Sequence, residues 1–302
     1  MEQIENEIAR LKEEHHAVIL AHYYVPAEVQ RIADYVGDSF YLSKKAKETD
    51  AQTIVFAGVR FMGESAKILN PKKRVLMPDD TADCPMAHMI MAEAIAEMRR
   101  KYDDLAVVCY VNSTAEIKAC SDVCVTSSNA VKIVRKLPQH HIFFIPDKNL
   151  AYYVGTQVPE KHIIYNDGYC PRHNGIQPDV VQACKHQHPN ALFLAHPECP
   201  RSVLELADYI GSTSGIIEYA GRSDADEFII GTEDGVMYEL TTRYPGKVFY
   251  SVMEHQSCED MKKVTLEKVL QCLKDGTGEI VLADDVREKA LRPLDYMLEL
   301  AE

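Results

Sequence analysis

The sequence predicts an α/β fold of three similar three-layer αβα domains with small parallel sheets, arranged around a pseudo-threefold axis with the active site at the centre. Three observations predict it. First, the chain repeats itself. Ala21-His22-Tyr23-Tyr24-Val25-Pro26 and Ala33-Asp34-Tyr35-Val36-Gly37-Asp38-Ser39 align without a gap on Ala195-His196-Pro197-Glu198-Cys199-Pro200 and Ala207-Asp208-Tyr209-Ile210-Gly211-Ser212-Thr213. A more degenerate copy, Cys109-Tyr110-Val111-Asn112 and Ser121-Asp122-Val123-Cys124-Val125-Thr126-Ser127, lies between them. His22, Tyr110 and His196 therefore recur at intervals of 88 and 86 residues, as do Asp34, Asp122, Asp208 and Ser39, Ser127, Thr213. Second, each copy is followed by one matching cysteine: Cys84, Cys170 and Cys258. Third, short apolar runs alternate with helical stretches in every copy, the pattern of βαβ units.

Taken in order, each unit opens with apolar residues recurring at three and four, over 3–14, 89–101 and 178–186, which predicts a helix. An apolar run follows: Ala17-Val18-Ile19-Leu20-Ala21, Leu105-Ala106-Val107-Val108-Cys109 or Ala191-Leu192-Phe193-Leu194-Ala195. Continuous runs of this length between helices read as parallel strands buried on both faces. A short second run precedes Ser39, Ser127 and Thr213, which read as helix N-caps. Further strands are predicted at 53–57, 75–77, 141–145, 162–165, 228–230 and 248–250. The units divide as 1–84 plus 262–302, 85–170 and 171–261. The tail carries a helix at 264–273, the run Glu279-Ile280-Val281-Leu282 and a last helix from Val286. With no fourth unit to join, it is expected to fold back onto the first domain.

Bulk properties narrow the function. A chain of 302 residues that is 46% hydrophobic can bury a substantial core. A formal net charge of -13 argues against a nucleic-acid or anionic-membrane partner, since either needs a basic face. Residues 1–10 are acidic and amphipathic, unlike a signal peptide, and no stretch approaches the roughly 20 apolar residues of a membrane span. Nine cysteines without an export signal suit a reducing cytoplasm, and their odd number forbids complete internal pairing.

In open parallel sheets, ligands bind beyond the carboxyl ends of the strands. There the sequence places His22 and Tyr24, Tyr110 and Asn112, and His196 and Glu198, with the cysteines expected to end the last strand of each unit. Three thiolates are one too few for a closed tetrahedral site. Either a histidine completes the sphere, or a cubane cluster keeps one iron free. Cys109, Cys120, Cys124, Cys184, Cys199 and Cys272 lack the repeated placement and read as buried small hydrophobes, the C-x3-C of Cys120 and Cys124 included. His196 and Glu198 read either as an acid-base pair or as a polar network between domains, and Tyr24 and Tyr110 either as phenolic acids or as interdomain packing. His173, close to Cys170, is placed to reach a substrate, whereas His88 is divided between that role and a solvated helix start. His15, His16, His140, His141, His186 and His188 read as surface or loop residues. No lysine or arginine recurs at equivalent positions of the three copies near these strand ends, so substrate anions are expected at the helix N-termini of Ser39, Ser127 and Thr213, aided by His173 and Asn112.

These residues resemble the quinolinate synthase family, iron-sulfur enzymes of de novo NAD biosynthesis. The resemblance rests on Leu20-Ala21-His22-Tyr23-Tyr24, on residues 32–39, on Phe61-Met62, Lys67-Ile68-Leu69-Asn70-Pro71 and Cys84-Pro85-Met86, and on Tyr110-Val111-Asn112-Ser113-Thr114. It continues through Thr126-Ser127-Ser128-Asn129-Ala130, Pro146-Asp147-Lys148-Asn149-Leu150, His196-Pro197-Glu198-Cys199-Pro200 and Gly211-Ser212-Thr213. It implies one 4Fe-4S cluster on Cys84, Cys170 and Cys258 with one iron open. It implies iminoaspartate and dihydroxyacetone phosphate as substrates, quinolinate as product, and functional coupling to L-aspartate oxidase or aspartate dehydrogenase. It further implies Glu198 as general base, His22, His196, Tyr24 and Tyr110 as proton donors or orienters, and Met62, Ser39, Asn112, Ser127, His173 and Thr213 as substrate contacts. Val25 stands where Gln often follows the tyrosine, and Gly63-Glu64-Ser65 where Ala-Glu is common. Longer members carry C-x2-C-x2-C around the third ligand, whereas residues 254–261 here hold Cys258 alone. Two other readings remain: another cluster-dependent hydro-lyase acting on a single substrate, and a non-catalytic iron-sulfur sensor.

Overall fold

The computed structural model describes residues 2–302. Twelve strands are formed among them: β1 (Ala17–His22), β2 (Tyr35–Gly37), β3 (Thr53–Ala57), β4 (Arg74–Leu76), β5 (Leu105–Tyr110), β6 (Val123–Val125), β7 (His141–Ile145), β8 (His162–Tyr165), β9 (Leu192–Ala195), β10 (Tyr209–Ile210), β11 (Glu227–Gly231) and β12 (Val248–Ser251). They make three parallel four-stranded sheets in the orders β2-β1-β3-β4, β6-β5-β7-β8 and β10-β9-β11-β12. The first strand of each unit is thus internal, flanked by the second and the third. That arrangement creates a switch point at its carboxyl end, where the connections diverge and leave a crevice.

Helices cover the sheets on both faces, which explains the continuous apolar runs: β3 and β5 are buried throughout. One apolar core runs through the first two units and part of the third, while Phe193, Val203 and Ile229 belong to a separate cluster in the third. Among the described residues, no helix is long and apolar enough to cross a membrane.

The repeated aspartate has a structural role in each unit. Asp34, Asp122 and Asp208 accept hydrogen bonds from the backbone N–H of Ile19, Val107 and Phe193 at 2.8, 2.7 and 2.7 Å. Their own N–H groups donate back to the carbonyls of the same three residues at 3.0, 3.0 and 2.8 Å. The side chain therefore clamps the entry to the second strand against the first and sets the register of the pair. A cation from the preceding helix meets each carboxylate: Lys12 at 2.6 Å, Arg99 at 3.0 Å and Lys185 at 3.1 Å.

Three expectations are corrected. The helix predicted over 89–101 begins only at Ala92, because a short turn, Pro85–His88, precedes it and the Met89 carbonyl accepts from Asn166 Nδ2 at 3.0 Å. The cysteines do not end the last strands. Each lies five to eight residues beyond, at the start of a short helical turn: Pro85–His88, Pro171–Asn174 or Glu259–Lys262. The tail also divides. Helix Leu266–Asp275 packs on Glu2–Glu14, and Ile280 N–H donates to the Val75 carbonyl at 2.8 Å, adding an antiparallel bridge to the first sheet. The last helix, Asp284–Ala301, instead lies between units, against Arg60–Leu69 of the first and Ala115–Ala119, β6 and Ala130–Lys136 of the second. Its buried Ala290, Pro293, Leu294 and Met297 fill that groove.

The clamp yields a prediction. Asp122→Ala removes a charge-assisted bond to backbone, worth about 1.5–3 kcal/mol, whereas Arg99→Ala removes a half-exposed ion pair worth about 0.2–1 kcal/mol. Denaturant unfolding is expected to rank the aspartate variant well below the arginine variant; equal losses would show that the ion pair, and not the backbone clamp, carries the effect.

Candidate active site

The carboxyl ends of the three sheets meet at a cavity to which all three units contribute wall residues. The first unit contributes His22, Tyr24, Ser39, Met62 and Cys84 to its walls. The second contributes Tyr110, Asn112, Ser127 and Cys170, and the third His173, His196, Glu198, Thr213 and Cys258. His88 lies outside, exposed and paired with Asp83 at 2.7 Å. Cys109 and Cys124 also lie outside, in register on β5 and β6 and fully buried in the core.

Local geometry corrects the capping assignment. Asp38 caps helix Ser39–Glu48 by accepting from Tyr41 N–H, and Ser212 caps helix Thr213–Arg222 by accepting from Gly215 N–H. Ser39 and Thr213 are the first helical residues, so their hydroxyls are not used as caps. Ser127 lies in a turn before Ala130–Lys136, where the Asn129 side chain accepts from Thr126 N–H at 2.7 Å. Two helix starts and one turn therefore face the cavity, in place of three capped helices. One arginine, Arg172, also reaches the wall, with its guanidinium 3.0 Å from Glu259.

The histidines that close the first strands of units one and three are matched. His22 Nδ1 accepts from Tyr24 N–H at 3.2 Å, and His196 Nδ1 from Glu198 N–H at 3.3 Å. Burial pushes both rings down to about 3, so they are neutral near pH 7 and, with Nδ1 accepting, carry their proton on Nε2. His196 Nε2 then donates to Ser127 Oγ at 3.2 Å, across two units.

Glu198 is 3% exposed. Burial alone would raise its carboxyl, but the adjacent His173 with its hydrogen bond and the Tyr110 hydroxyl outweigh that and hold it below the usual carboxylate range. His173 Nδ1 lies 2.7 Å from Glu198 Oε2 and 3.2 Å from Cys170 Sγ. Its Nε2 lies 2.8 Å from Thr232 Oγ1, which is 2.7 Å from the Tyr24 hydroxyl, which is 2.6 Å from Thr213 Oγ1. Burial keeps the phenols of Tyr24 and Tyr110 well above their usual range, hence protonated donors. Two buried oxygens of the cavity residues, Glu198 Oε1 and Asn112 Oδ1, have no protein partner. Such atoms call for a partner from outside the chain.

Donors for a metal are also present. Burial raises the thiols of Cys84, Cys170 and Cys258. Ligand atoms of Cys170, His173 and Glu198 lie within 4.8 Å of one another. The backbone N–H of each of the three cysteines meets a carboxylate: Asp83 at 2.8 Å, Asp147 at 3.1 Å and Glu233 at 2.8 Å. Sequence reasoning missed Thr232, Asp147 and Glu233. The last two carried a signal, since they stand 86 residues apart in the register of Tyr110 and His196; Thr232 carried none.

The family profile described as "NadA: Quinolinate synthetase A protein" matches residues 6–299. The chain belongs to the quinolinate synthase family. It is similar to "Quinolinate synthase" of Fusobacterium nucleatum subsp. nucleatum, 56% identical over 298 residues covering 99% of each chain. Against "Quinolinate synthase" of Alkaliphilus metalliredigens the identity is 50% over 295 residues, 98% of this chain and 97% of the other. Against "Quinolinate synthase 2" of Methanosarcina acetivorans it is 48% over 298 residues, 99% and 96% of the two chains. The likeness to these quinolinate synthases spans all three units, and so every wall of the cavity.

The chain of hydroxyls makes Thr232 testable. Thr232→Val keeps the shape but deletes two hydrogen bonds, at about 0.5–1.5 kcal/mol each. Denaturant unfolding should show a loss of about 1–3 kcal/mol that Thr232→Ser largely restores; a valine variant as stable as the parent would mean that the chain adds nothing to the fold.

Proposed function

We propose that this chain condenses iminoaspartate with dihydroxyacetone phosphate to give quinolinate, phosphate and two waters, as a step of NAD biosynthesis, using one 4Fe-4S cluster held by Cys84, Cys170 and Cys258. The observation that carries the reading is the arrival of one half-buried thiol from each unit in the cavity that Glu198 lines. The donor set fits the group. Three thiols raised by burial are unfavourable as free acids or bare anions, and a bound cation relieves both because coordinated thiols deprotonate. Three thiolates also leave one iron of such a cluster without a cysteine. When bound, the cluster supplies an iron that polarises a substrate oxygen or nitrogen as a Lewis acid.

The remaining work falls to side chains. Glu198 is ionised and partnered at Oε2, so its unpartnered Oε1 is the atom to take or hold a substrate proton. His173 keeps that carboxylate oriented through Nδ1, and the Tyr110 hydroxyl donates to it. His22, neutral with a proton on Nε2, serves as a hydrogen-bond donor that orients the substrate, and His196 acts through Ser127, whose hydroxyl its Nε2 proton holds in place. Asn112 Oδ1 accepts from a substrate N–H or O–H. Ser39, Ser127 and Thr213 meet carboxylate and phosphate oxygens with hydroxyls and, at the two helix starts, with free N–H groups. Met62, Phe61 and Val59 form the apolar wall that excludes water. The nine thiols are all unpaired, which supports a reducing, cytoplasmic setting. The short life of an imine in water favours a nearby source, an oxidase or dehydrogenase acting on aspartate.

Two outcomes test the reading. In anaerobically reconstituted protein, Cys84→Ala, Cys170→Ala and Cys258→Ala should each lose the iron and the visible absorbance, while Cys109→Ala and Cys199→Ala retain both. A cluster that survives loss of any of the first three removes that residue from the ligand set. In an anaerobic assay needing both substrates, Glu198→Gln should keep the cluster and lose about 10²–10⁴ in turnover, the usual contribution of a general base. Parent-like turnover would release Glu198 from that role, and turnover of a single hydroxy acid without triose phosphate would favour a hydro-lyase.

A further inference from the structure

We propose that Asp147 and Glu233 are positioning residues for Cys170 and Cys258, buried carboxylates that tie each cysteine loop to the sheet beneath it. The proposal rests on the reading of those cysteines as ligands. Asp147 Oδ2 accepts from Cys170 N–H at 3.1 Å and Glu233 Oε1 from Cys258 N–H at 2.8 Å. Both side chains are completely buried, where carboxylates are rare unless something demands them. Each also grips its own loop. Asp147 Oδ1 accepts from Leu150 N–H at 2.6 Å, capping helix Lys148–Gln157, and Glu233 Oε2 accepts from Gly235 N–H at 2.6 Å. Lys262, in the turn that Cys258 opens, adds a contact of 2.8 Å to Glu233.

The repeat supplies an independent argument. Asp147 and Glu233 occupy the same place, two residues beyond β7 and β11. In the first unit that place, two residues beyond β3, is Val59. There the N–H of Cys84 goes to its neighbour Asp83 at 2.8 Å, a side chain 36% exposed. Where the sheet offers no carboxylate, the loop recruits one of its own, so the demand for an acceptor at the cysteine N–H persists even when its source changes.

The physical effect is preorganisation. Each tether closes a segment of more than twenty residues at the cysteine itself, so the loop is ordered on folding and not at the expense of metal binding. Groups that orient a ligand in this way commonly change metal affinity by about 10–100-fold when removed.

Variants at this position separate reach from charge. Glu233→Gln keeps one acceptor oxygen at the same reach and loses the other to an NH2, whereas Glu233→Asp keeps the charge and withdraws both oxygens by one methylene. Iron release to a chelator is followed anaerobically in the cluster-loaded protein, with Asp122→Ala as a control that weakens the fold away from the site. Glu233→Asp should release iron about 10–100-fold faster than the parent, with Glu233→Gln, which keeps one acceptor, between the two. Asp147→Ala and Asp147→Asn should divide in the same way. Release from Glu233→Asp at the parental rate, or no faster than from Asp122→Ala, overturns the proposal. A parent protein that takes up no iron overturns the ligand reading and this proposal with it, which distinguishes the two failures.

Discussion

A single buried carboxylate organises the centre of this molecule. Glu198 is ionised in a site almost closed to water, and an uncompensated charge there would cost several kcal/mol. Its compensation comes from more than one direction. His173 stands 2.7 Å from Oε2, and the Tyr110 hydroxyl arrives from the second unit. The partners are themselves fixed. His173 is held on its far side by Thr232, and Thr232 by Tyr24 of the first unit. The demand of one anion for hydrogen-bond donors thus reaches residues on all three sheets.

The same contacts join the units. Tyr24 to Thr213, Asp38 to Ser214 and Gln30 to the Gly235 carbonyl connect the first unit with the third, at 2.6, 2.7 and 3.1 Å. His196 to Ser127 and Asn149 to the Glu198 carbonyl connect the third with the second, at 3.2 and 3.0 Å. The first and second are joined differently, by the apolar face of the last helix and by the Glu64 carboxylate accepting from Ala115 N–H at 3.0 Å. The third unit is therefore held by polar residues at or near the site in addition to the apolar core it shares with the other two, and a substitution there acts on assembly as well as on chemistry.

Neutral histidines and protonated phenols give the cavity its character. Desolvation drives His22 and His196 to the uncharged form and keeps Tyr24 and Tyr110 from ionising. In a chain of net charge -13, the cavity wall carries oriented N–H and O–H dipoles and one arginine, Arg172, without a cluster of cations. Such dipoles act more strongly in a buried site, where the effective dielectric is low.

The sequence by itself determined the three-unit α/β architecture, because apolar period and repeat register are local properties that a parallel sheet buried on both faces imposes on its strands. It also singled out the residues that now line one cavity, since equivalent positions in three copies must meet wherever the copies pack about a common centre. Tertiary structure alone decided the rest. Capping moved from Ser39 and Thr213 to Asp38 and Ser212, a shift of one residue that depends on where each helix leaves its strand. The last helix filled a groove between two units that exists only once both have folded. Thr232 has no counterpart in the repeat, and its partners Tyr24 and His173 are 208 and 59 residues away in sequence. Its role follows from packing, which brings three hydrogen-bonding groups into contact in a place where none of them can turn to water.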